Sequence, residues 1–301
     1  MIPDFVKMNK KAYENSKCSF EKLYQIIYDN YTLPIHIASG FSDFSYELGC
    51  ALDSFIPEAH KPHLQFALLR LHEKAIKIFT ESLSLIAIGS ASGAMARWRI
   101  LYELSVISKV LEKIPDLAPR YIAYLNTANY KCFKKLNTYK EHLNLAYFDS
   151  NRFDELKKAF DENKSAFGWE GKKPYEWAKC DEIKAPSLFN LAEYVGLEKF
   201  YAYVDESHAY NHASIFSMIS ARGENVPNEN IKCMFSPLDL DLPLQLIVTS
   251  LHQVNVSCIL AYYKLDSSDK EKLCRYLNTN ADFPAEMIKY FEEKEVKHNA
   301  D

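Results

Sequence analysis

Apolar residues recur at intervals of three and four along most of this chain, which is the period of an amphipathic α-helix. The first stripe predicts a helix over residues 18–31 that ends at Pro34, and it consists of Phe20, Leu23, Ile26 and Ile27. Similar stripes predict long helices near residues 62–88, 91–113, 118–142, 197–221 and 243–264. The pattern therefore indicates a protein built from long helices.

The stretch from 143 to 187 interrupts this pattern. One charged helical segment is followed there by four turn-forming residues: Gly168, Gly171, Pro174 and Pro186. Such residues predict a loop-rich insertion. Helices are expected to resume in "SLFNLAEYVG", where Ser187 is a good N-cap and Gly196 a good C-cap.

Composition supports an all-α fold. The chain has only 8 Gly and 12 Pro, too few for the many tight turns of a sheet protein, and its 48% hydrophobic content can build a core. We predict a single-domain bundle of long helices with a loop-rich insertion. An N-terminal helical segment is expected at 1–59, the bundle at 60–265, and C-terminal helices with a charged tail at 266–301.

Residues 244–263 are as long as a membrane span and carry no charged residue. However, His252, Gln253 and Asn255 lie near the centre of this stretch and would be costly in hydrocarbon. The sequence therefore predicts a buried helix whose polar groups are paired with neighbouring side chains. No membrane partner is expected.

Cysteine usage and the N-terminus indicate the cytoplasm. The seven cysteines are an odd number and include no C-x-x-C motif, which favours reduced thiols over disulfides or a zinc ribbon. No apolar run follows the charges of "MIPDFVKMNKKAYENSKC", so no secretory signal peptide is expected. The formal net charge of −4 gives no overall attraction to nucleic acid, so any RNA site would have to be local.

Two histidines in "DESHAYNHASIF", His208 and His212, form the first candidate site. A spacing of four places two imidazoles on one helix face, where they could hold zinc. A third ligand is missing nearby, and the pair in "HKPH" at 60–63 would help only if the fold brought it near. We therefore expect structural, hydrogen-bonded histidines, and we predict no metal and no cofactor.

Arg99 and Glu103 are the second candidate, an i, i+4 pair inside the apolar helix "ARWRILYELSV". Small residues precede the pair and apolar residues follow it, so an interior position is expected. Charges are retained in an interior for specificity or function. Trp98 and Tyr210 would either wall such a pocket or, as is commoner for core aromatics, simply pack.

Three segments carry a resemblance to a bacterial protein family: "RILYE" at 99–103, "PRYIAY" at 119–124 and "LAEYVGLEKFYAYVDESHAYNHAS" at 191–214. Their order resembles that of the DUF5677 family, in which an R-x-x-x-E helix precedes an R-Y segment and a later run ending in Ser-x4-His-x-Ser. The resemblance spans about residues 60–265. It assigns the family's polar positions to Arg99, Glu103, Ser207, His212 and Ser214.

The combination of helices, an arginine and a late-helix histidine is also similar to HEPN-like proteins, many of which are metal-independent ribonucleases or toxins of defence systems. HEPN sites carry both residues on one helix, whereas here no arginine lies four to six residues before either histidine, so Arg99 would come from a different helix. The resemblance implies that His212 acts as general base on a ribose 2′-hydroxyl and that Arg99 stabilises the phosphate. Ser207 or Ser214 would orient them.

Two functions remain open at this point. The first is a metal-independent ribonuclease or toxin, with RNA as its partner. The second is a non-enzymatic interaction or regulatory module that binds a partner protein or a second copy of the chain. In the second case Arg99, Glu103, Ser207 and His212 would form a structural polar network. Both functions require these residues to converge in space.

Overall fold

The computed structural model of the protein describes residues 2–57, 60–143, 150–211, 239–265 and 269–298. These residues form nine α-helices and no strand, so the prediction of an all-α fold is confirmed. The helices are α1 Ile2–Phe55, α2 His63–Ala87, α3 Ala91–Lys113, α4 Ala118–Tyr139, α5 Ser150–Phe167, α6 Leu188–Val195, α7 Tyr201–Asn211, α8 Asp241–Tyr263 and α9 Lys270–His298.

Helices α2, α3 and α8 pack against one another and form the centre of the bundle. Helices α1 and α9 pack on α8 and on each other, while α6 and α7 pack on α3 and α5 packs on α4. The largest fully buried side chains include Trp98, Tyr102, Phe41, Phe79 and Tyr262. Because α3 contacts α2, α6, α7 and α8, its polar residues lie where several helices meet.

The predicted helices of the centre are confirmed. Helices α2, α3, α4 and α8 begin and end within three residues of the predicted positions. The caps of α6 are also as predicted, since the Ser187 hydroxyl accepts a hydrogen bond from the amide of Asn190 at 3.1 Å and Gly196 is left-handed with φ 74°. Helix α7 covers the first part of the predicted 197–221 helix, and the rest lies outside the described residues.

The prediction that Pro34 ends the first helix is wrong, because α1 continues to Phe55. A proline removes one helical hydrogen bond and leaves the carbonyl four residues earlier without its donor. That carbonyl belongs to Asn30, and it accepts a hydrogen bond from the Tyr290 hydroxyl of α9 at 2.6 Å. Ile27 and Phe41, on either side of the proline, are both buried, so core packing outweighs the cost.

Pro284 lies inside α9 in the same way. The carbonyl four residues earlier is that of Asn280, and it lies 3.1 Å from Nδ1 of His252 on α8. The carbonyl freed by Pro34 is therefore paired with α9, and the carbonyl freed by Pro284 lies against a polar side chain of α8.

The insertion holds one charged helix, α5, followed by irregular chain, as predicted. We call Gly168–Ala178 the strap. Its Glu176 carboxylate accepts amide hydrogen bonds from Gly171 at 2.7 Å, from Lys172 at 3.0 Å and from Lys173 at 3.1 Å. The Tyr124 hydroxyl of α4 donates to the Lys173 carbonyl at 2.5 Å, which fixes the strap to the bundle.

Helix α8 is the one helix of the described chain that could cross a membrane by length and composition, and 67% of its apolar window is buried inside the protein. Its polar residues are paired, as predicted. Gln253 accepts a hydrogen bond from Lys109 at 2.8 Å, and Asn255 bonds to His72 at 2.9 Å. In this structure α8 is thus a core helix of the bundle.

Candidate functional site

Arg99 and Glu103 lie one turn apart on α3, and both are half-buried rather than deep in the interior. In the described part of the chain they do not form the expected ion pair with each other. The Glu103 carboxylate instead accepts a hydrogen bond from the Tyr175 hydroxyl at 2.9 Å. The Nε of Arg99 is buried and has no hydrogen-bond partner among the described residues.

Tyr175 lies on the strap and completes what we call the Arg99 cluster: Arg99, Glu103 and Tyr175. Burial, together with the negative charge and the hydrogen bond of Glu103, raises the pKa of Tyr175 well above its usual range. The positive charge of Arg99 acts in the opposite direction, so the guanidinium lies within electrostatic range of this phenol. Tyr175 therefore remains a neutral hydrogen-bond donor to Glu103 at neutral pH.

Tyr121 of α4 lies beside the Arg99 cluster. Burial, with a smaller contribution from the Glu103 charge, raises the pKa of Tyr121 to about 12. Its ring packs edge-on against Trp177 of the strap, with ring centroids 4.8 Å apart. The charged groups of the cluster therefore have aromatic neighbours on α4 and the strap, which limits the access of water and strengthens electrostatic interactions.

Sequence reasoning missed Tyr175 and Tyr121. Tyr175 lies in "KKPYEW", an irregular stretch with no periodic pattern to show which way its side chain points. The available signal was a tyrosine between Pro174 and Trp177 in an otherwise charged segment. That signal marks a packed loop but does not identify Glu103 as the partner, because 72 residues separate them.

Ser207 and His208 lie on α7, which packs against α3, the helix that carries Arg99 and Glu103. Ser207 is fully buried, and its hydroxyl donates to the carbonyl of Val204 at 2.7 Å within its own helix. His208, the next residue, is half-buried. The remaining predicted site residues, His212 and Ser214, lie outside the described residues, so their convergence with Arg99 stays a prediction.

Trp98 and Tyr210 are the aromatic residues predicted either to wall a pocket or to pack in the core. Trp98 is fully buried, and its indole N–H donates to the Ser250 hydroxyl of α8 at 2.9 Å, so it is a core residue. It also packs against Tyr102, whose hydroxyl donates to the Leu197 carbonyl at 3.0 Å. The side chain of Tyr210 lies outside the described part. Trp98 thus ties α3 to α8 rather than lining a site.

The histidine, cysteine and carboxylate side chains of the described ranges are of the types that metal ions bind. No group of three or more His, Cys, Asp or Glu side chains there could hold a metal ion. His60 and His63 lie in this part, whereas His212 does not, so the His208/His212 pair stays untested. The described cysteines are all free: Cys50, Cys132, Cys180, Cys258 and Cys274.

A second polar cluster, which we call the Asn255 network, lies among α1, α2, α8 and α9 and consists of Ser45, His72, His252, Asn255 and Asn280. The Asn255 amide nitrogen donates to the Ser45 hydroxyl and to Oδ1 of Asn280, both at 2.9 Å, and its Oδ1 lies 2.9 Å from Nε2 of His72. The side-chain nitrogen of Asn280 donates to Nδ1 of His252 at 2.8 Å. Asn255 and Asn280 are fully buried, so this network fixes the packing of four helices.

The comparisons with known proteins identify a family but no activity. The model of a family of unknown function, DUF5677, matches residues 65–229, which is more than half of the chain. No curated protein and no solved structure matches the chain. The match contains the three segments on which the sequence resemblance rests.

Proposed function

The chain belongs to the DUF5677 family, whose function is unknown, and we propose that it is a metal-independent ribonuclease whose Arg99 cluster binds the phosphodiester of RNA in the cytoplasm. The observation that carries this proposal is that the buried Nε of Arg99 has no hydrogen-bond partner among the described residues. A buried guanidinium donor without a partner is costly, and a bound anion would satisfy it.

The pairing of Glu103 supports an anionic ligand. Arg99 and Glu103 have the i, i+4 spacing that permits an ion pair, yet the Tyr175 hydroxyl holds the Glu103 carboxylate at 2.9 Å. Tyr175 thereby competes with Arg99 for the carboxylate. The guanidinium is then available for a phosphate, which it can contact through two parallel N–H donors.

The proposed chemistry is transfer of the phosphate within the RNA strand. His212 takes the proton of a ribose 2′-hydroxyl, the 2′-oxygen attacks the adjacent phosphorus, and the bond from phosphorus to the 5′-oxygen breaks. The departing 5′-oxygen takes a proton from water. Arg99 stabilises the additional negative charge on the phosphate oxygens. The products are a 2′,3′-cyclic phosphate and a 5′-hydroxyl end.

Ser207 fits a supporting role better than a catalytic one. Its hydroxyl is buried and donates to the Val204 carbonyl within α7, so its polar group is already satisfied inside its own helix. Ser214 remains the proposed residue that orients the phosphate. In this proposal His212 comes from a different helix than Arg99, as the sequence requires.

A second candidate is a non-enzymatic interaction or regulatory module that binds a partner protein or a second copy. The pairing of Glu103 with Tyr175 and of Ser207 with Val204 favours it, because two of the proposed site residues already have partners inside the protein. In that case the Arg99 cluster sets the position of the strap on α3. Loss of these residues would then lower stability with no activity to lose.

Incubation of purified protein with RNA separates the two candidates. The ribonuclease proposal predicts cleavage that leaves 2′,3′-cyclic phosphate ends, persists in EDTA and disappears in His212→Ala. His208→Ala is the matched control, since it removes an imidazole four residues earlier in the sequence and should retain most of the activity. Intact RNA with wild-type protein, and no toxicity on expression in a bacterial host, would favour the module.

A further inference from the structure

A cleft of about 340 Å³ opens between α1 and α2, and none of its lining residues belongs to the Arg99 cluster. Its apolar surface comes from Tyr46, Phe66, Leu69 and Ile76. This volume is at the small end of the range of ligand-binding pockets. The cleft therefore has the size and lining for a small apolar molecule.

His72 of α2 lines the cleft and is 1% exposed. Its Nε2 lies 2.9 Å from Oδ1 of Asn255, whose amide nitrogen is occupied as a donor. Nε2 must therefore carry the proton and donate, which leaves Nδ1 as an acceptor. Burial lowers the pKa of His72 to about 4, so the ring is neutral at pH 7. Nδ1 has no hydrogen-bond partner in the described chain.

Gly49 of α1 lies against this nitrogen. A Cβ at position 49 would lie 3.0 Å from Nδ1 of His72, tighter than most Cβ contacts in proteins. Gly49 also lines the cleft. The glycine thus keeps the unused acceptor of His72 next to the apolar space between the two helices.

The charges at the cleft are balanced. Asp53 pairs with Lys61, and Arg70 pairs with Glu73 at 3.0 Å. Two ion pairs of opposite charges give no net attraction for an anion or a cation. The ligand that fits this lining is uncharged.

We propose that the cleft between α1 and α2 binds a small neutral aromatic molecule that donates an N–H or O–H hydrogen bond to Nδ1 of His72. The aromatic body lies against the apolar side chains, and the donor reaches the imidazole past Gly49. Because His72 bonds to Asn255, an occupied cleft contacts the network that joins α2 to α8 and α9. This site is independent of the proposed ribonuclease activity.

The thiol of Cys50 tests the proposal, since it is exposed and lines the cleft. Indole is the probe, and 1-methylindole is its matched control because it has the same ring without the N–H donor. The rate of alkylation by iodoacetamide is measured for each cysteine-containing peptide by mass spectrometry. Cys132 and Cys274, which are exposed elsewhere, serve as internal controls.

Saturating indole should slow the alkylation of Cys50 at least fivefold and leave the rates of Cys132 and Cys274 unchanged. 1-Methylindole should need about tenfold higher concentration for equal protection, which corresponds to the loss of one hydrogen bond. Absence of protection at Cys50, or equal protection by the two indoles, would overturn the proposal.

Gly49→Ala should abolish protection by indole, because the added methyl group fills the space beside Nδ1. Gly40→Ala on the same helix is the control, since its Cβ would lie 3.7 Å from Phe283 in ordinary contact. Protection that is unchanged in Gly49→Ala would contradict the proposal. If that variant does not fold, the comparison of indole with 1-methylindole on the wild-type protein still tests the proposal.

Discussion

The Asn255 network and the Arg99 cluster lie in one bundle and use polar side chains in opposite ways. Asn255 is fully buried and uses both its amide nitrogen and its oxygen. Arg99 is half-buried, its Nε has no partner among the described residues, and its neighbour Glu103 bonds to Tyr175. Complete pairing of a buried amide such as Asn255 indicates a structural role, whereas the buried Nε of Arg99, which lacks a partner in the described chain, is the feature on which the ribonuclease proposal rests.

The difference follows from what each cluster must satisfy. An amide in the core is neutral, so neighbouring side chains can meet all its needs at little electrostatic cost. A guanidinium carries five N–H donors and a charge, and its pairing is strongest with a carboxylate or a phosphate. Since Tyr175 donates to the Glu103 carboxylate, the proposal assigns an external anion to Arg99.

The largest expected effect on stability is at Asn255. Asn255→Ala removes three buried hydrogen bonds, to His72, Ser45 and Asn280, which should lower the free energy of unfolding by about 3 kcal/mol or more. Urea unfolding measures the change. Asn278→Ala, at an exposed position of α9, is the control and should stay within about 0.5 kcal/mol of wild type. Similar losses of unfolding free energy in both variants would show that the Asn255 network does not hold α1, α2, α8 and α9 together.

A pH dependence of stability is the next largest effect. The pKa of His72 is lowered from 6.5 to about 4 by burial, so between these values the unfolded imidazole binds a proton that the folded one does not. The contribution of neutral His72 to the free energy of unfolding is therefore complete above pH 6.5. It is lost as the pH drops toward 4, which lowers the free energy of unfolding by up to about 3 kcal/mol. Burial also lowers the pKa of His252, which acts in the same direction.

His72→Gln sharpens this pH test, because its amide can still donate to Asn255 but does not titrate. Urea unfolding at several pH values between 4 and 7 should show a flatter dependence for the variant than for wild type. An equally steep dependence would assign the effect to other groups.

A smaller effect is expected at the Arg99 cluster. Tyr175→Phe removes the hydrogen bond to Glu103, which is half-buried, and should lower the free energy of unfolding by about 1 kcal/mol. It also releases the carboxylate to pair with Arg99, so RNA cleavage should fall about tenfold. Tyr139→Phe, at an exposed position, should change neither quantity. Unchanged cleavage in Tyr175→Phe would show that the strap does not affect RNA cleavage.

Local patterns predicted α3 and α8 because burial of one face repeats along each helix and no distant group is needed to form it. Pro34 misled the prediction because the donor that replaces its missing N–H is Tyr290, 260 residues away in sequence. Likewise, the sequence identified Arg99 and Glu103 as polar residues of interest but not their separation by Tyr175. Side-chain partners depend on the packing of distant elements, which one sequence does not reveal.

The most direct test of the Arg99 cluster is a comparison of RNA cleavage by Arg99→Ala and Arg97→Ala. Both variants lose one arginine from α3, but Arg97 forms an ion pair with Glu81 whereas Arg99 lies beside Glu103 and Tyr175. If Arg99 binds the phosphate, its removal should lower the cleavage rate by about a hundredfold or more, while Arg97→Ala should cleave at about the wild-type rate. Equal cleavage by both variants, with the wild type active, would contradict the assignment of the site to Arg99.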